Sequence, residues 1–147
     1  MIDDRIIKYI SHAPKVALIG NGGNLAIAQH GASDMTRHLN KHCFAPDSVH
    51  LTALGGDSNW HEKWINEYAI FADCVIGITT RKDSPIIKGL RELGGILPNR
   101  VVIAPIKIEG IDTIVVNETT YHEFEIQALS TIYKIIEECG AKLPSID

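Results

Sequence analysis

The sequence predicts an α/β fold in which a parallel sheet is covered by helices on both faces. Three observations lead there. Short apolar runs of the kind that form central parallel strands, Lys15–Gly20, Cys74–Ile78 and Arg100–Ala104, recur along the chain. Between them lie stretches whose apolar residues return every three or four positions, the period of an amphipathic helix. The connections are short, as they are where strands and helices alternate in a parallel sheet.

The elements follow in order. Ile2, Ile6, Ile7 and Ile10 have near-helical spacing over residues 2–12, and Pro14 ends that element before the strand Lys15–Gly20. Residues 24–39 read as a helix with Leu25, Ala28, Ala32, Met35 and Leu39 on one stripe. A short extended piece is expected at residues 48–53. Asp57 or Ser58 then caps a helix carrying Trp60, Trp64, Ile65 and Tyr68. After the strand Cys74–Ile78, Ser84 and Pro85 open the next helix and Gly94-Gly95 closes it. Residues 100–104 and 113–116 are strands, and residues 118–138 form the last helix, stopped by Gly140.

With 147 residues the chain is expected to form one domain, since a chain of this size buries roughly 68–70% of its unfolded surface in one core. Cys43, Cys74 and Cys139 are widely spaced and encode neither a disulfide framework nor a zinc ribbon, which fits a reduced, cytoplasmic setting. No apolar run approaches the ~20 residues of a membrane span, so no membrane association is expected. Fourteen basic residues against 18 acidic ones give a net charge of −4, and the basic residues form no block. That excludes the phosphate-tracking footprint of a nucleic-acid binder, although phosphate could still be held locally.

The stretch Gly20-Asn21-Gly22-Gly23-Asn24 joins the first strand to a helix. Such a loop presents backbone N–H groups and a helix N-terminus to an anion. In an open parallel sheet the ligand lies beyond the carboxyl ends of the strands, where the strand order reverses. The loop after the central strand, Thr79-Thr80-Arg81-Lys82-Asp83-Ser84, should converge on the same place, together with Gly55-Gly56-Asp57. Its hydroxyls, its cations and a Ser-Pro helix start make a phosphate cup, or else Thr79, Thr80 and Ser84 merely cap a helix. A dinucleotide site is disfavoured, because Leu25 stands where a third small residue belongs and no acidic residue follows to hold a ribose. No Gly-Lys-Ser/Thr is present for a Walker A loop.

Taken in order, Gly20-Asn-Gly-Gly23, Ala28-Gln-His30 with Asp34, the segment 57–64 and Gly77-Ile-Thr-Thr-Arg-Lys-Asp-Ser84 resemble the landmarks of sugar-isomerase (SIS) domains. The likeness is strongest to the sedoheptulose-7-phosphate, or phosphoheptose, isomerase branch. It implies a flavodoxin-like three-layer sandwich with a five-stranded parallel sheet and a phosphorylated sugar as ligand. It also implies a homodimer or homotetramer with active sites at subunit interfaces.

Carried over position by position, the resemblance implies an aldose–ketose isomerase with Asp34 as the base, in place of the family's glutamate. Gly22, Gly23, Asn24, Thr79, Thr80, Arg81 and Ser84 would hold the phosphate, and Asp57 and Gln127 the sugar hydroxyls. The family's acid/base histidine is replaced by Ile135, leaving His122 or His61 as substitutes. Some members hold zinc between equivalents of His30, Asp34, Gln127 and that histidine. Here three ligands and water would remain, or His30 and Asp34 form only a hydrogen bond on the helix surface. The alternative to an enzyme is a noncatalytic SIS module that binds a phosphosugar or a protein partner in a regulatory role.

Overall fold

The computed structural model describes residues 2–54 and 59–146, the side chains of residues 52–54 excepted. Five strands, β1 (Lys15–Gly20), β2 (His42–Phe44), β3 (Cys74–Ile78), β4 (Arg100–Ala104) and β5 (Asp112–Val115), form one parallel sheet in the order β2-β1-β3-β4-β5. This is the doubly wound, flavodoxin-like order.

Helices cover both faces, and the alternation of side chains along each strand decides which core each residue joins. Val16 and Leu18 of β1 and Ile76 and Ile78 of β3 pack with α1 (Asp4–His12), α2 (Gly23–Leu39) and α6 (Tyr121–Glu138). Ala17, Ile19 and Val75 pack on the opposite face with α4 (Trp60–Glu67) and α5 (Pro85–Leu93). Every side chain of β3 is buried, as the continuous apolar run requires of a central strand. At the far edge of the sheet α1 is tied down by an Arg5–Asp112 ion pair and by Tyr9, whose hydroxyl donates to Asp112 or to the Arg100 carbonyl, each 3.2 Å away.

Several boundaries differ from the sequence reading, among them the cap of α4, which is Asn59 rather than Asp57 or Ser58. Residues 48–54 are helical (α3, Ser48–Leu54), not extended. The reason is Asp47, whose Oδ1 accepts hydrogen bonds from the N–H groups of Val49 and His50, both at 3.0 Å, and so nucleates a first turn. The edge strand is instead β2, three residues long. The last helix starts at Tyr121 rather than at 118, because Thr120 is its cap and accepts from the Glu123 N–H at 3.1 Å. Trp64 is fully buried, and Trp60 and Tyr68 pack against the same core, so that aromatic stripe is consumed within the chain.

Candidate functional site

The strand order reverses between β1 and β3, and Gly20 pairs with Ile78 at their carboxyl ends. The glycine loop and the hydroxyl loop therefore leave the sheet side by side. At Gly20 the strand end lies directly on the first turn of α2, since a Cβ there would run into the backbone of Asn24 and Leu25. Gly22 turns the chain with φ 56° and ψ −131°, a combination that strains any residue with a side chain. Asn24 follows in the first turn of α2. It is only 4% exposed, and its Oδ1 is buried without a hydrogen-bond partner. Leaving a buried acceptor unsatisfied costs about 1–3 kcal/mol, and a ligand hydroxyl at this loop would supply the missing donor.

An acidic side chain already stands at this helix end. A Cβ on Gly23 would collide with the carboxylate of Glu125 from α6, so that carboxylate lies against the positive pole of α2. Nothing in the periodicity of α6 marks Glu125. Only the side-by-side, parallel course of α2 and α6 brings it there, a course also seen where a Cβ on Gly31 would meet Ile132.

In the second loop Thr79 and Ser84 are buried and engaged with each other, their hydroxyl oxygens 3.2 Å apart. Thr79 Oγ1 also accepts from the Arg81 N–H at 3.2 Å, and Ser84 Oγ caps α5 by accepting from the Ile87 N–H. Their position gives them the shape of the loop to hold. Thr80 is the hydroxyl with surface. It lines a cavity of about 490 Å³ together with Glu118, Thr120, Tyr121 and His122. The Arg81 guanidinium is exposed, its Nε 3.6 Å from Asp83.

Further along α2 a cluster joins the two helices. His30 Nε2 lies 3.0 Å from Asp34 Oδ2 and 3.1 Å from the Tyr133 hydroxyl of α6, whose ring meets the imidazole edge-on. An ionised carboxylate only accepts, so the Asp34 contact is a hydrogen bond only if Nε2 carries the proton. One Nε2 proton cannot serve both neighbours, and in the tautomer with Nε2 bare the Tyr133 hydroxyl donates to it. Tyr133 was invisible to the sequence reading, which looked for a proton-transfer group at position 135. Ile135 is fully buried in the core beneath α1 and α6.

Position 135 supplies no fourth zinc ligand beside His30, Asp34 and Gln127. His30 Nε2 lies within 3.1 Å of both Asp34 and Tyr133, and the position from which a further nitrogen would come holds buried Ile135. Among the described residues no three His, Cys, Asp or Glu side chains stand together as a metal cluster.

The remaining candidates are dispersed. His122 is exposed at the first turn of α6, eleven residues and so roughly 16 Å up the helix from Tyr133, and the structure does not bring it to Asp34. It shares the cavity with Thr80 instead. His61 stacks on Trp60 with ring centroids 3.7 Å apart, and both of its ring nitrogens are buried without partners. Burial drives its pKa down to about 4, so its ring is uncharged at neutral pH. Gln127 is exposed on α6, and Asp57 lies outside the described residues.

No protein-family model matches the chain. It is 35% identical to the phosphoheptose isomerase of Aquifex aeolicus over 53% of this chain and 47% of that protein. The chain thus spans about half the length of the curated relatives it matches. In fold it is similar to phosphoheptose isomerase from Neisseria gonorrhoeae, with a TM-score of 0.68 at 19% identity, covering 92% of this chain and 80% of the other. A phosphoheptose isomerase from Francisella tularensis gives the same TM-score at 18% identity, over 92% and 81%. In sequence over about half its length and in fold over nearly all of it, this chain resembles the phosphoheptose isomerases, the likeness first read from its glycine and hydroxyl loops.

Proposed function

We propose that the chain is a single SIS-type domain that isomerises a phosphorylated sugar of the phosphoheptose class, working as a homo-oligomer in the cytoplasm. The observation that carries this reading is the pairing of Gly20 with Ile78. Through it the loop carrying Gly22 and Gly23 and the loop carrying Thr80 and Arg81 leave neighbouring strand ends, and Asn24 Oδ1 in the first of them is buried without a partner. In this reading the phosphate sits over those loops, and Thr79 and Ser84 keep the second loop in shape. Asp57 and Gln127 take sugar hydroxyls.

Helix geometry supports a long substrate. Asp34 lies ten residues beyond Asn24 on α2, which is about 15 Å along the axis. A phosphate held at the start of α2 and a base at Asp34 call for a long sugar chain lying open along the helix, as an acyclic heptose phosphate would. At the reacting end Asp34 removes the proton from the carbon beside the carbonyl and returns it to the neighbouring carbon. His30, whose Nε2 lies 3.0 Å from the carboxylate, fixes its orientation.

The test is conversion of sedoheptulose 7-phosphate by the purified chain, with thermal-shift titration of the same compound. Asp34→Asn should lower turnover by about 10²–10⁴-fold and leave the ligand-induced melting shift in place. A melting shift with no conversion by the unmodified chain would instead identify a noncatalytic sugar-phosphate module, for which the loss of a proton-transfer group at Ile135 speaks.

A further inference from the structure

We propose that Tyr133 takes over the proton-donor role that position 135 cannot fill. This rests on the isomerase reading above. Two observations carry it. The hydroxyl is 3.1 Å from His30 Nε2, the same nitrogen that is 3.0 Å from Asp34, so acid and base candidates share one hydrogen-bonded group across the α2–α6 seam. Position 135, two residues on, faces the core and is completely buried, so no side chain there reaches the surface that Asp34 overlooks.

The step balances without any further reactant. Asp34 takes the proton from the carbon beside the carbonyl, and the C–H electron pair becomes the carbon–carbon double bond of an enediol. The carbonyl π pair moves onto oxygen, which takes the proton of Tyr133. The phenolate left behind is stabilised by the His30 N–H, which can turn from Asp34 once that carboxylate is protonated. In the second half the hydroxyl on the neighbouring carbon returns its proton to Tyr133, and Asp34 delivers its proton to the other carbon. Both side chains end as they began, and aldose and ketose have exchanged.

The experiment compares the unmodified chain with Tyr133→Phe and Tyr133→His, measuring kcat and KM for sedoheptulose 7-phosphate, binding by titration, and the melting temperature. Tyr133→Phe keeps the ring against His30 and removes only the hydroxyl. It should lower kcat about 10²–10⁴-fold, the span of a general acid–base contribution, with KM and binding within threefold of the parent. Tyr133→His restores a proton donor and should recover part of that loss. A purely structural role would lower the melting temperature of Tyr133→Phe while sparing kcat, and a kcat equal to that of the parent overturns the assignment. If the unmodified chain itself converts no substrate, the isomerase reading falls and the role of Tyr133 falls with it. Those two failures are read from different proteins and cannot be confused.

Discussion

The carboxylate of Glu125 lies against Gly23, at the first residue of α2, where a ligand phosphate would also be drawn. Two anions compete for one positive helix end, and the one that is part of the chain is always present. Removing its charge should therefore favour the external anion.

Glu125→Gln keeps the shape of the side chain and removes the charge. An anion near a helix N-terminus is worth about 0.3–1 kcal/mol, so the affinity for inorganic phosphate should rise about two- to fivefold. Isothermal titration of both proteins at one ionic strength measures it. Unchanged or weaker binding by the variant would show that the carboxylate does not compete at this loop.

Gly20 makes the opposite kind of prediction, about space rather than charge. A methyl group there meets the Asn24 carbonyl and the Leu25 nitrogen, backbone atoms that cannot rotate aside. Gly20→Ala should destabilise the fold by about 1–3 kcal/mol, as overpacking does, and should push the start of α2 away from β1. Denaturant unfolding checks the first effect, and loss of phosphate affinity the second. A variant as stable as the parent would mean that α2 does not pack on the strand end as closely as described.

Those two glycines also show why the sequence was readable where it was. Gly20 and Gly22 announce a strand-to-helix turn because no side chain fits the close contact at one or the φ and ψ pair at the other. The central strand was legible for a related reason: buried on both faces, β3 has no polar position to interrupt its apolar run. The segment 48–54 misled because its helical signal is not in the apolar pattern but in one side chain upstream, Asp47, bonding two backbone amides. Edge strand β2 is too short for its alternation to register. Tyr133 and Glu125 belong to a different class. Each looks like an ordinary residue of α6, and its meaning comes from which residue of α2 it meets, a relation set by how two helices lie on one sheet face.

His61 yields a prediction about acid. Its ring nitrogens are buried and unpartnered, and the folded chain holds its pKa at about 4, below the ordinary 6.5. Above pH 6.5 folded and unfolded chains both carry a neutral imidazole, and the residue contributes nothing to the pH dependence. Between pH 6.5 and 4 the unfolded chain binds a proton that the folded one refuses, so stability falls as the pH drops through that window and the full penalty is present below pH 4. His61→Phe preserves the stack on Trp60 and removes the titrating group. Its denaturant midpoint should decline less than that of the parent between pH 7 and pH 4.5, and it should be no less stable at pH 7, since two unpartnered nitrogens are gone. Carboxylates such as Asp47, whose pKa is lowered by the backbone amide of His50, titrate alike in both proteins and cancel in the comparison. Parallel pH curves for the two would mean that water or a neighbouring group reaches the imidazole and that it protonates in the folded state.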